Sequence, residues 1–168
     1  MEQQQALKDL EGTLSLIGDH AAALAGKLEG LFFRAQRIAH ASKEGGSSGD
    51  TMFSYDLKNF RQELRSFSLE VEGISVRLGT LARTAVYEEG ALSRAQAVMR
   101  LAERLHRAVS SFQEQAFLAH QHIRRTEHKM DAWYLVQESE ELSARSQAMP
   151  GTANKLLIAV STPSEAAP

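Results

Sequence analysis

Residues 119–133, AHQHIRRTEHKMDAW, gather three histidines, two arginines, a lysine and two acids. Imidazoles hold metals, move protons or simply face water. Two histidines on one helix chelate when they stand four residues, about one turn, apart. Here His120, His122 and His128 offer spacings of two, six and eight, with Arg124 between the outer pair. No pair fits, so the stretch reads as a rim-facing or solvated surface. A second candidate is Glu103-x-x-His106. Carboxylate-bridged metal bundles carry two such motifs and further inward glutamates. This chain has one, and both of its residues fall off the apolar row of their helix. A metal-binding bundle using Glu103, His106, His120, His122 and His128 is therefore the alternative of another class. No cofactor is expected.

Other chemistry finds little support. There is no phosphate-binding glycine loop and no nucleophile elbow. The expectation is a protein without enzymatic activity or small-molecule substrate. Arg94, Arg100, Arg104, Arg107, Arg124, Arg125 and Lys129 outnumber Glu103, Glu114 and Glu127 in residues 94–129. The interleaved aromatic side chains that single-strand binding would require are absent from the charged face, and the whole chain carries a net charge of −2. Nucleic acid is not an expected partner. An antiparallel dimer could instead pair this basic region with Glu138, Glu140 and Glu141.

The elements that must position these groups are helices. Leu7, Leu10, Leu14, Ile17, Ala21, Leu24, Leu28, Leu31, Ala35 and Ile38 alternate steps of three and four, the spacing of a heptad row. SKEGGSSGD (42–50) breaks the run, and Asp50 is placed to cap the next helix. Leu57, Phe60, Leu64, Phe67, Val71, Ile74, Leu78, Leu81 and Ala85 repeat the row. Gly90 suits a helix C′ position, and Ser93 with Gln96 suits a capping box. The third row is Ala95, Val98, Ala102, Leu105, Val109, Phe112, Ala116, Ala119, Ile123, Thr126, Met130 and Trp133. It fades at Gln137 and Glu140, and Pro150 with Gly151 is read as the end of helix.

The expected fold is all-α: an elongated antiparallel bundle of three long helices, up-down-up, with coiled-coil-like heptad seams. The bundle spans 1–148, with helices at about 3–42, 51–88 and 91–146, and 149–168 is a flexible C-terminal tail. Phe33, Leu69, Val76, Phe117 and Leu118 lie off the rows, and three or more helices rather than a hairpin are expected to cover them. Gly18, Ala22, Gly26 and Gly30 make a small-residue stripe on helix one, either a site of close backbone approach or a local weakness. Helix three, at roughly 80 Å, outruns neighbours of roughly 55–60 Å, unless it breaks near Ala119.

Residues 3–90 resemble the WxG-type helical-hairpin proteins of ESX (type VII) secretion. The stretch LRSFSLEVEGISVRLGTLARTAVYEEG is similar to their second helix. The resemblance implies dimers and export without a cleavable signal peptide. The turn lacks Trp-x-Gly, Tyr87 has Ala91 at the acid position of the Tyr-x-x-x-Asp/Glu motif, and the matching Tyr134–Glu138 lies on helix three.

The functional expectation is an interaction or assembly module acting through exposed helix faces. A type VII substrate or its partner is the alternative. The start MEQQQALKDLEG has no basic and apolar leader, no apolar run is long enough for a membrane span, and there are no cysteines. The expected location is the cytoplasm, or outside it by export without a cleavable signal. Met130, Trp133 and Tyr134, rimmed by Arg125 and Lys129, are the expected contact site for a protein partner or a second copy. The competing reading makes Trp133 ordinary core.

Overall fold

The computed structural model describes residues 2–43, 45, 51–124 and 127–163, and every regular element among them is helical. The helices are α1 (Glu2–Lys43), α2 (Phe53–Thr84), α3 (Leu92–Ile123), α4 (Lys129–Gln147) and α5 (Met149–Ser161). Among the described residues no helix is long and apolar enough to cross a membrane.

The three–four rows of the first three helices are buried, from Leu7 to Ala35, Leu57 to Leu78 and Ala95 to Ile123. Burying such rows is what stabilises long helices whose intrinsic propensity is modest. The chain then departs from the expected three rods. Helix three ends at Ile123, and the chain turns back before α4 starts at Lys129. Thr126, read as part of the apolar row, lies outside the described residues, as do Asp50 and Arg125.

The segment 149–168 is not a tail over its first part. Met149–Ser161 is helix, with Met149, Ala153, Leu156 and Val160 buried. Pro150 stands in its first turn, where the missing N–H is one that has no intrahelical partner anyway. The proline therefore starts a helix that it was expected to end. α4 passes into α5 through Ala148, whose φ of −81° and ψ of −14° are themselves helical. Across both, Ala132, Leu135, Ser139, Leu142, Ser146, Met149, Ala153, Leu156 and Val160 form a fourth buried row in steps of three and four. The buried hydroxyls are satisfied locally, Ser139 donating to the Val136 carbonyl at 2.8 Å and Ser146 to that of Ser143 at 3.1 Å.

The result is a four-rod bundle running up, down, up, down, with α4–α5 as the last rod. α1 packs on α2 and α3, and α4–α5 packs on α2 and α3, while α2 and α3 face each other only across the diagonal. Neighbours α1 and α3 run parallel, as their paired ends show: Arg94 lies 3.6 Å from Glu11 at one end, and His122 meets the Phe32 ring at the other. α2 and α4 also run parallel. Across the core, the Phe60 and Phe112 rings stack at 5.9 Å.

The link that crosses the diagonal, 85–91, is held at the base of the bundle. Gln3 donates to the Val86 carbonyl at 2.9 Å and accepts from its N–H at 3.0 Å, and the Glu88 N–H bonds the Val160 carbonyl. Gly90 has φ of +86°, a conformation glycine adopts without strain. It serves this turn rather than the end of α2, which closes at Thr84. α3 has no side-chain cap, so Ser93 and Gln96 form no capping box.

One further expectation is corrected. Phe33, Leu69, Val76, Phe117 and Leu118 remain exposed, because four rods fill each other's inward rows and leave outward positions in water. The inner faces of α1 and α2 are covered by α3 and α4–α5 of the same chain.

Candidate interaction surface

The start of α4 presents the expected contact residues. Ala132 and Leu135 are buried, which turns Met130, Trp133 and Tyr134 outward. Trp133 is 48% exposed, so it is not ordinary core. It was expected to protrude past the end of a long third rod. It protrudes instead from the side of a fourth, because the fourth buried row is offset from the extension of the third. The Trp133 and Tyr134 rings meet edge-on, 5.0 Å between centroids. Lys129 and Met130 are exposed beside them.

Beneath Tyr134 lies a charged group of residues that sequence reasoning did not find. The Arg61 guanidinium sits 4.6 Å from the Tyr134 ring centroid. It donates to Asp131 at 2.8 Å and reaches Glu138 at 3.4 Å, while Arg65 Nε donates to Glu138 at 2.8 Å. The Arg61 and Glu138 side chains are only 14% and 11% exposed. Glu138 was expected to pair with the basic region of another copy, yet its partners are in α2 of its own chain. It is also the acid of the Tyr134–Glu138 motif, and its Oε2 is buried with no hydrogen-bond partner. A signal existed in the i, i+4 spacing of Arg61 and Arg65 and the seven-residue spacing of Asp131 and Glu138. It could be used only with the register of α4 known.

The histidines scatter over different neighbours. His122 packs edge-on against Phe32 and His128 against Phe53, each with centroids 5.3 Å apart. His106 Nδ1 lies 3.2 Å from Ser146 Oγ on the fourth rod. His120 Nδ1 is buried without a hydrogen-bond partner. They are less solvated than the sequence suggested, and the bundle uses the rings at its helix contacts. Among the described residues no three His, Asp or Glu side chains converge on a point that could hold a metal ion.

The bundle centre is filled. The void among Leu24, Leu64, Phe67, Val109, Phe112 and Leu142 measures about 10 Å³, no more than one water could occupy. The larger hollows are open surface grooves, such as that of about 360 Å³ between α1 and α2 beside Lys27, Arg34, Asp56 and Glu63. Lys27–Glu63 and Arg34–Asp56 ion pairs bridge it at 2.8 and 2.7 Å.

No family model, curated protein or solved structure matches the chain.

Proposed function

We propose that this chain is a non-enzymatic interaction module whose outward α4 face engages a protein partner, with Trp133 as the anchor. The observation that carries this reading is a half-exposed tryptophan beside exposed Met130 and Tyr134. Tryptophan and tyrosine are enriched among the residues that dominate binding energy. Anchoring works best from a surface that is already ordered, because less freedom is then lost on binding. The Arg61–Asp131–Glu138 group supplies that order from below, and exposed Lys129 supplies a polar rim.

The chain holds one tryptophan, so its fluorescence reports this face alone. The isolated protein should emit as a partly solvated indole and shift to the blue when the partner is bound. Trp133→Ala should weaken capture of the partner by roughly 2 kcal/mol or more while the circular dichroism and melting of the bundle stay close to wild type. A blue-shifted emission at every concentration, or a large drop in melting temperature with capture intact, would return Trp133 to the core and remove the proposal.

A further inference from the structure

The outward face of α1 carries a pattern that its own bundle leaves unused. Seven-residue steps place Asp9, Leu16, Ala23, Gly30 and Arg37 in one row, with Gly12, Asp19, Gly26 and Phe33 in the row beside it. All nine residues are exposed. Leu16, 71% exposed, and Phe33, 52% exposed, are the large apolar side chains left in water on this helix among the described residues. Arg37 makes no ion pair among the described residues, and the Asp9 carboxylate accepts a hydrogen bond from Gln5 and makes no ion pair among them. A Cβ at Gly12, Gly26 or Gly30 would meet nothing within 4 Å, so no other helix of this chain packs against them.

We propose that this face binds a second copy of the same chain, α1 against α1, antiparallel about a two-fold axis beside Ala23. The charges choose that arrangement. Reversal about Ala23 sets Asp9 opposite Arg37 of the second copy, and by symmetry Arg37 opposite Asp9. Leu16 then faces Gly30, and in the neighbouring row, whose centre lies half a residue away, Phe33 faces Gly12 and Asp19 faces Gly26. Each protruding apolar side chain meets a residue without one, and no like charges meet. The competing arrangements fail on the same residues. A parallel pair sets Asp19 on Asp19 and Arg37 on Arg37. An antiparallel pair slipped by seven residues one way again sets Asp19 on Asp19. Slipped the other way, it sets Leu16 on Arg37 and Phe33 on Asp19. A two-fold contact of this kind closes on itself and gives a dimer, not a filament. One helix pair is a small interface, below the roughly 1,200 Å² of stable complexes, so the dimer is a transient one. α1 and α4–α5 occupy opposite corners of the bundle, so this contact leaves the Trp133 face free and does not depend on it.

The chain has no cysteine, which allows single cysteines to report the geometry in the full-length protein. Ala23→Cys should form a covalent dimer under mild oxidation much faster than the outward control Leu69→Cys. Asp9→Cys and Arg37→Cys should each crosslink poorly alone and well when mixed. In sedimentation equilibrium from about 1 µM to about 1 mM, the wild type should self-associate at low salt. Asp9→Arg and Arg37→Asp should each weaken that association about tenfold or more, and the double exchange should restore it. Because both sites are exposed, circular dichroism should show all variants folded. A wild type that stays monomeric throughout overturns the proposal. So do single charge exchanges without effect, or efficient crosslinking of Asp9→Cys alone. Self-association lost in Trp133→Ala but kept in the α1 variants would also reject this face, while leaving the α4 anchor standing.

Discussion

At the scale of single residues, two kinds of burial set the energetics. Phe67 is 1% exposed, and its ring meets the edge of His20 while lining the small void at the bundle centre. With four rods closing round it, a truncated side chain cannot be replaced by sliding neighbours. Phe67→Ala should therefore cost about 3–5 kcal/mol, read as a shift of the urea midpoint. An unchanged midpoint would mean that the ring is not where the structure places it. Arg61 and Arg65 make the complementary case, since they share the Glu138 carboxylate but not its burial. Arg61→Ala leaves Asp131 with little access to water and no ion-pair partner, and leaves Glu138 with Arg65 alone, and should cost about 2–4 kcal/mol. Arg65 lies largely in solvent, so Arg65→Ala should change stability by no more than about 1 kcal/mol. Equal losses from the two changes would show that burial of the Arg61 group contributes nothing.

At the scale of elements, what could be read from the sequence follows what local physics dictates. The rows of α1, α2 and α3 stand out because leucine, valine, isoleucine and phenylalanine recur at three and four, and those residues are buried. The fourth row stayed hidden because Ser139 and Ser146 interrupt it. A buried serine with a backbone partner is cheap inside a helix and looks polar in a sequence. The turn after Ile123 was equally silent, since RRTEHK holds neither glycine nor proline. The chain turns there because the fourth rod must reach α2, a tertiary demand without a local mark. Pro150 did give a mark, but one with two meanings, helix end and helix start. For the proposed contact residues only their exposure was legible: Trp133, Tyr134 and Met130 are exposed together, although on another rod than expected. Arg61 was not legible, because its role depends on a helix pairing that only the fold supplies. The glycines of α1 offer a check at this scale. A methyl group at Gly18 meets nothing within 4 Å, so Gly18→Ala should stabilise the protein by roughly 0.5–1 kcal/mol through helix propensity alone. A lower melting temperature would mean that the α1–α3 approach there is closer than the structure shows.

At the scale of the whole molecule, the order of the rods departs from a simple walk round the bundle. α2 and α3 follow each other in the chain yet sit across the diagonal, and α1 with α3, like α2 with α4, lie side by side running in the same direction. Two antiparallel hairpins, α1–α2 and α3 with α4–α5, are laid face to face, and the 85–91 link only bridges them at the base. Seen as kinetics, each hairpin can close through short-range contacts, whereas docking the two must await pairings far apart in the chain, which is the slow part of assembly. Seen as covalent structure, the link is dispensable once docking is done. A chain cut between Tyr87 and Glu88 should give two fragments that are poorly helical or aggregated alone. Co-expressed, they should purify together at equal stoichiometry with the circular dichroism of the intact protein. Two fragments that each fold as independent soluble hairpins would instead divide the molecule into separate units. Complementing fragments would make this bundle one that can be switched on by bringing its halves together.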